Sequence, residues 1–182
     1  MRVSAREMED NHRRIVAGAA RLFRERGVRS TSVADAMKAA DMTHGGFYRH
    51  FDSKDALLAA AIRAAFEDFA APLEQRQRLE PPARVAAEFK AQYLSHAHRA
   101  HPGKGCPMPA LAGELAQADA AVKAAFGEGV ARMVAALAAT EGGNATAQRQ
   151  AALRQVAMMV GAVALARACD DALAEELLAA CR

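Results

Sequence analysis

Apolar residues recur at helical spacing along most of the chain. In the first such segment Ile15, Ala19 and Leu22 fall at positions i, i+4 and i+7, which places them on one face of a helix. We predict a first helix over about residues 11–26. Gly27 follows it, and glycine can adopt the left-handed conformation that ends many helices.

Two short helices are predicted next. Ser32 is followed three residues later by Asp35, a variant of the capping box in which the two side chains bond each other's backbone amides. The helix that begins there is about two turns long. A third short helix is predicted over about residues 44–50, capped by the preceding threonine, with Phe47 and Phe51 on its inner face.

The remainder of the chain predicts longer helices. A fourth helix begins near Lys54 and is long, with Pro72 as a kink or an end. The segment 101–107 is a loop by composition. The other predicted helices cover about residues 82–100, 109–117, 119–137, 146–168 and 171–182, giving about nine helices in all.

Composition supports an all-α fold. Alanine, the best helix former, occupies 48 of the 182 positions, and the chain has only 6 prolines. The three cysteines do not form an even disulfide framework, which favours a reducing, cytoplasmic setting. No stretch of 18 apolar residues lacks a charge, so a membrane span is not expected.

Positive charge is concentrated in the first third of the chain. Residues 1–60 hold 11 Lys and Arg against 8 Asp and Glu, a net charge of +3, whereas residues 61–182 are balanced at 13 against 13. A local basic excess is a weak indication of an anionic partner, and on charge alone a solvated surface is the better explanation.

The spacing of the first three helices is typical of a helix-turn-helix unit, in which the second helix of the pair enters the major groove of DNA. Each of the paired glycines Gly45 and Gly46 costs a helix about 1 kcal/mol relative to alanine. Close approach of the backbone to DNA, or to a neighbouring helix, would compensate for that cost. If Phe47 and Phe51 point inward, the outward positions are Thr43, His44, Gly45, Tyr48 and Arg49.

The chain resembles the TetR/AcrR family of bacterial transcriptional regulators over about residues 11–60. The matching residues are Phe23-x3-Gly27, Thr31-Ser32-Val33, Ala39-Ala40-Asp41-Met42-Thr43 and Gly46-Phe47-Tyr48-Arg49-His50-Phe51-Asp52-Ser53-Lys54-Asp55-Ala56-Leu57. The last run is highly specific.

The resemblance implies roles for residues of the helix-turn-helix. Tyr48, His50 and Lys54 would contact phosphate, and Thr31 or Ser32 would touch the DNA backbone from the second helix. Thr43, His44 and Gly45 would face the base edges, and Arg49 could join them. Arg2 and Arg6 could form an arm that reaches phosphate or the minor groove.

The resemblance also implies the organisation of the whole chain. Residues 1–55 would form the DNA-binding domain, and residues 56–182 an effector-binding and dimerisation domain. The last two helices would form the interface of a homodimer. On a palindromic operator the two DNA-binding domains would lie about 34–36 Å apart. Gly161 would allow these helices to approach closely. A ligand-released repressor is the expected function, with double-stranded DNA and a small effector as partners and no cofactor.

Apolar residues beyond position 60 could line an effector cavity, although each is more often a core residue. The candidates are Phe66, Phe69, Phe89, Tyr93, His96, Met108, Phe126 and Met133. Because little fixed charge lies at these positions, we expect an apolar or aromatic ligand with few polar anchors.

Cys106 suggests an alternative sensor function. It follows Lys104-Gly105 and precedes a helix, and both features lower the pKa of a thiol. A regulator that senses electrophiles or oxidants through Cys106 is therefore a second hypothesis. Together with His96, His98 and His101, Cys106 does not match a zinc spacing, so no metal site is expected.

Catalytic motifs are not found in the sequence. It has no G-x-S-x-G, no H-E-x-x-H and no glycine-rich phosphate loop, so an enzyme is not expected. Glu114 and Glu128 are isolated carboxylates that we interpret as solvated. A helical interaction protein that never touches DNA is the competing class, and it would leave Gly45-Gly46 and the residues after them without a purpose.

Overall fold

The computed structural model describes residues 4–182. Within that range the chain is all-α, as predicted, with nine α-helices and two short 3-10 helices. The α-helices are α1 (Ala5–Arg26), α2 (Val33–Ala39), α3 (Lys54–Gln77), α4 (Pro82–Tyr93), α5 (His96–Ala100), α6 (Pro107–Leu115), α7 (Ala120–Ala138), α8 (Ala145–Ala168) and α9 (Asp171–Ala180). The 3-10 helices are His44–Arg49 and Pro102–Lys104.

Helix α1 begins six residues earlier than the apolar stripe predicts. Ser4 and Glu7 form a capping box, in which the Ser4 hydroxyl accepts from the Glu7 amide at 3.1 Å and the Glu7 carboxylate accepts from the Ser4 amide at 2.7 Å. Arg6 therefore lies in the first turn of α1 and not in an extended arm. Arg2 lies outside the described residues.

The predicted capping box of α2 is confirmed, but the helix after it differs from the prediction. Residues His44–Arg49 form a 3-10 helix rather than an α-helix. Thr43 occupies the N-cap position with extended backbone, yet its side chain makes no capping hydrogen bond. The predicted Thr43 cap is therefore wrong, and its hydroxyl is left exposed beside the helix.

Two further boundaries differ from the sequence prediction. Helix α3 continues through Pro72 to Gln77. The single helix predicted over residues 82–100 is instead two helices, because Ser95 accepts a hydrogen bond from the His98 amide at 3.2 Å and caps α5. This break places a bend of the chain beside the middle of α3.

The core is built around α3, which packs against α1 on one side and α7 on the other. Phe66 of α3 lies directly over Gly129 of α7, where an added Cβ would come within 2.0 Å of the phenyl ring. The absence of a side chain at Gly129 thus sets the distance between the two helices. One continuous apolar core links the N-terminal helices to the rest of the chain.

Helix α8 is strongly apolar, but only part of it is buried. Among the described residues it is long and apolar enough to cross a membrane, by length and composition only, and a third of that apolar stretch is buried. It packs against α7 and α9. Met158, Gly161 and Leu165 fall at i, i+3 and i+7 on the opposite side, and both large side chains are exposed. Within residues 4–182 this apolar face therefore has no packing partner.

Candidate nucleic-acid interface

The 3-10 helix is held against α1 by its aromatic side chains. Phe47 and Phe51 are buried with their ring centroids 5.8 Å apart, and Phe51 stacks on the ring of His12 at 4.6 Å. The preceding turn has Asp41 in the left-handed region, at φ 57°, with its carboxylate paired to Arg14 of α1 at 3.1 Å. These contacts fix which face of the 3-10 helix points outward.

The outward face carries the residues that the sequence predicts for it. Thr43, His44, Gly45, Tyr48 and Arg49 are all exposed, and Tyr48 retains 71% of its surface. The Tyr48 ring packs edge-on against Phe47, which holds the phenol clear of the core. The structure therefore presents a continuous polar surface of donors and acceptors along one short helix.

The paired glycines do not serve packing within the chain. A Cβ added to Gly45 would meet no atom within 4 Å, and one added to Gly46 would be in ordinary contact with Met37 at 3.6 Å. Neither glycine has a positive φ. Close approach to a neighbouring helix is therefore wrong as the reason for Gly45 among the described residues.

Thr31 is not available as a contact residue. It is fully buried, and its hydroxyl donates to the Gly27 carbonyl at 2.8 Å. Ser32 is exposed, but its hydroxyl is engaged with Asp35 as the cap of α2. The predicted choice between Thr31 and Ser32 is therefore corrected: Thr31 fixes the loop between α1 and α2, and only Ser32 lies at the surface.

Lys54 and His50 both make contacts with other residues of the chain. The Lys54 ammonium, at the N-terminus of α3, donates to the Val28 carbonyl at 2.7 Å. His50 is half-buried beside His12, with ring centroids 6.0 Å apart. Burial, reinforced by the nearby charges of His12 and Arg49, lowers the pKa of His50. His50 is thus more readily neutral than an exposed histidine.

A cavity of about 480 Å³ lies between α3, α4 and the segment from Ser95 to Gly105. Three of the predicted effector-contacting residues, Phe69, Phe89 and Tyr93, line it. Their rings contact each other with centroids 5.8–6.0 Å apart and form an aromatic wall. The volume is in the range typical of small-molecule sites.

The other five predicted cavity residues lie elsewhere. Phe66 and Phe126 pack edge-on against each other between α3 and α7, and Met108 and Met133 are buried in the core. His96 lines a separate, smaller cavity with Arg99 and Arg167. Helical spacing alone does not distinguish a core position from a cavity wall, which is why the prediction was wrong at these positions.

The cavity carries more charge than the sequence predicts. Asp68, Arg76, His101 and Lys104 line it together with the aromatic wall. Arg76 is neutralised by Glu80, at 2.7 Å, and by Glu88. Lys104 is exposed and has no carboxylate within 4 Å among the described residues. The expectation of little fixed charge is therefore wrong for the rim.

His98 is held in one tautomer at the back of this cavity. Its Nε2 accepts from the Cys106 amide at 2.9 Å, so the proton resides on Nδ1, which donates to the Tyr93 carbonyl at 2.7 Å. Burial lowers the pKa of His98 and keeps the ring neutral. Through these two hydrogen bonds the imidazole connects the last residue of α4 to the residue before α6.

Cys106 is not the reactive thiol that its neighbours in sequence suggest. Its side chain is fully buried, and burial raises the pKa of the thiol to about 11. The hypothesis of electrophile or oxidant sensing through Cys106 is overturned by this burial. No metal-binding cluster of His, Cys, Asp and Glu occurs within residues 4–182.

Residues 15–61 match the family of bacterial regulatory proteins named for tetR. That segment runs from α1 through the 3-10 helix into the first turns of α3, so it contains the whole outward face described above.

The N-terminal part of the chain is therefore similar to the TetR family over these residues.

Curated HTH-type transcriptional regulators match part of the chain. The chain is 37% identical over 86 residues to the HTH-type transcriptional repressor KstR2 of Rhodococcus jostii, a match that covers 43% of this chain and 41% of that protein. Matches to the curated relatives span between 41% and 54% of those proteins' lengths.

Solved TetR-family structures share the fold along nearly the whole chain. The reduced form of E. coli NemR aligns with a TM-score of 0.79 at 19% identity, covering 94% of this chain and 93% of that one. Bacillus subtilis FadR in complex with stearoyl-CoA aligns with a TM-score of 0.67 at 16% identity, covering 93% and 97%. The likeness extends beyond α3, where the sequence match is diffuse.

Proposed function

We propose that this chain is a transcriptional repressor that binds a palindromic DNA operator as a homodimer and is released by a small effector. One observation carries the proposal: the 3-10 helix presents an exposed polar face whose glycine has no packing role inside the chain. A helix of this kind fits the major groove, where base edges are read by hydrogen bonds. The relative from Rhodococcus jostii is itself described as a repressor.

The proposed homodimer is supported by the unpartnered face of α8. Leu165 is 55% exposed, and a Cβ added to Gly161 would meet nothing within 4 Å, so a second helix could approach the backbone there. Leu173 of α9 adds further exposed apolar surface. A monomer rarely leaves such a face in water, which favours burial against a second copy of the chain.

The proposed effector is amphipathic rather than wholly apolar. Its apolar part would contact the wall of Phe69, Phe89 and Tyr93, and a polar end would face Lys104 and His101 at the rim. FadR, which has a similar fold, holds stearoyl-CoA, a ligand that also joins an apolar chain to a charged group. We place the DNA-binding unit at residues 1–55, the effector and dimer unit at residues 56–182, and the protein in the cytoplasm.

Substitutions on the outward face test the proposal. We expect Tyr48→Ala to weaken binding to every duplex, because a phosphate contact carries no sequence information. We expect Thr43→Ala or His44→Ala to change which duplex is preferred, by about 1–3 kcal/mol per altered base contact. Fluorescence anisotropy with one selected and one scrambled duplex measures both effects. Unchanged affinities in all three variants would refute the interface.

Operator affinity is expected to rise as the pH falls. The pKa of His50 is lowered in the free protein, and a phosphate beside it would raise the pKa, so DNA binding takes up a proton. The gain in affinity therefore appears as the pH drops through the bound-state pKa and is complete below the free-state pKa. We expect about fivefold tighter binding at pH 6 than at pH 8.

His50→Gln should flatten this pH profile, as measured by the same anisotropy titrations. His12 and Arg49 face His50 and are the charged groups beside it, so His12→Gln serves as the control for a contribution from the neighbouring ring. A profile that is equally steep in His50→Gln would show that another group takes up the proton.

A further inference from the structure

Helix α6 connects the cavity to the DNA-binding unit. At its N-terminus the Cys106 amide donates to Nε2 of His98, a residue of the cavity wall. Its last turn carries Glu114. Glu114 follows Cys106 by eight positions, so the two residues lie about 12 Å apart along the helix axis at 1.5 Å per residue.

Glu114 hydrogen-bonds the backbone of the loop between α1 and α2. Its two carboxylate oxygens accept from the amides of Val28 and Arg29 at 3.1 and 3.0 Å. Consecutive backbone amides that converge in this way form an anion-binding nest. Glu114 is therefore not the solvated carboxylate expected from the sequence.

Gly27 leaves the space that the Glu114 carboxylate occupies. Its φ is +86°, and an added Cβ would lie 2.4 Å from a Glu114 oxygen. On the other side of the loop, the Val28 carbonyl accepts from Lys54 at the start of α3. The loop that leads into α2 and the 3-10 helix is therefore fixed between α3 and α6.

A second connection lies one turn away on α1. The Arg24 guanidinium donates to the carbonyl of Gly103, with Nε at 3.1 Å and Nη2 closer still. Gly103 is buried in the short 3-10 helix Pro102–Lys104, and its neighbours Lys104 and Gly105 line the cavity. Both connections join the cavity wall to the same end of α1.

We propose that Glu114 is the residue that couples the cavity to the DNA-reading surface: α6 carries a displacement of the cavity wall to the loop at Val28 and Arg29, and Arg24 supports the same end of α1. This inference rests on the proposed function, whose regulation it describes. Coupling between two sites is reciprocal, so DNA bound at the 3-10 helix must act on the cavity wall as the effector acts on DNA binding. The coupling can therefore be tested with no effector in hand.

The test uses Glu114→Gln, which keeps the size of the side chain but replaces one acceptor oxygen with a donor that the two amides cannot use. Glu128→Gln is the matched control, since Glu128 pairs only with Arg63 on the surface. The measurement is amide hydrogen exchange in the full-length protein, with and without a duplex selected from a randomised library by the unsubstituted protein.

In the unsubstituted protein and in Glu128→Gln, saturating duplex should slow exchange in the cavity-wall segment 101–106. In Glu114→Gln with duplex bound, we expect that response to be lost. An undiminished response of the cavity wall in DNA-saturated Glu114→Gln would overturn the proposal. If Glu114 only stabilised the fold, Glu114→Gln would lower the melting temperature, but bound duplex would still slow exchange in segment 101–106.

The DNA-free comparison separates this proposal from the proposed function. Without DNA, Glu114→Gln should speed exchange at Val28 and Arg29 by at least about tenfold, and it should also change exchange at residues 101–106. A change confined to Val28 and Arg29 would contradict the coupling. If no duplex is selected at all, the proposed function fails, and this comparison still decides the coupling. Should Glu114→Gln not fold, Arg24→Lys, which cannot make the forked bond to Gly103, takes its place with the same expected loss.

Discussion

Leu165→Glu is expected to convert the protein from a dimer to a monomer. Leu165 lies at the exposed apolar face of α8, one turn from Gly161, where two helices related by a two-fold axis would bring their copies together. A carboxylate buried there without a partner costs several kcal/mol, and symmetry doubles the charge. Size-exclusion chromatography with light scattering measures the mass. Affinity for a palindromic duplex should fall by roughly 100-fold, since the second half-site no longer binds as part of one molecule.

Leu79→Glu is the matched control for this substitution. Leu79 is 77% exposed in the turn between α3 and α4, away from α8 and α9, and accepts the same change of charge. We expect it to remain dimeric and to bind the palindrome as tightly as the unsubstituted protein. A dimeric Leu165→Glu, or a Leu79→Glu that dissociates equally, would place the interface elsewhere.

Gly45→Ala is expected to abolish tight operator binding without harming the fold. The added methyl group meets nothing within the chain and requires no unusual backbone conformation. It would, however, separate the start of the 3-10 helix from the DNA by the width of a methyl group. We expect a loss of at least about tenfold in affinity, or 1.4 kcal/mol, with a melting temperature that is unchanged or higher, because alanine is the better helix former. Anisotropy titration and thermal unfolding provide the two measurements.

Gly127→Ala controls for a general effect of replacing glycine in a helix. Gly127 is exposed on α7, and a Cβ there also meets nothing within 4 Å. Alanine should stabilise α7 by up to about 1 kcal/mol and leave DNA binding unaltered. If Gly45→Ala binds the operator as Gly127→Ala does, no surface approaches the backbone at residue 45.

The outward face of the helix-turn-helix was predictable because it depends on local patterns. Phe47 and Phe51 are the large apolar side chains of this segment, and both are buried although the 3-10 helix itself ends at Arg49. The sequence therefore assigned Tyr48 and His44 to the surface correctly while it assigned the wrong helix type. Two adjacent glycines in a six-residue segment leave the backbone conformation open, so the pattern of apolar residues did not determine the helix type.

Features that depend on distant parts of the chain could not be predicted. Glu114 bonds amides 85 and 86 residues away, and no property of its own neighbourhood indicates this. Cys106 has the sequence context of a reactive thiol, but burial among α1, α4 and α8 determines its pKa. Lys104 lines the cavity together with Ser95, whose cap divides the helix predicted over residues 82–100, and neither fact follows from the local sequence pattern.

Selection from a randomised duplex library, followed by sequencing of the bound fraction, tests most directly whether the outward face reads DNA. The account predicts enrichment of a palindrome whose half-sites lie about one helical turn apart, with base preferences that change in His44→Ala. A bound fraction with the same composition as the starting library would contradict it.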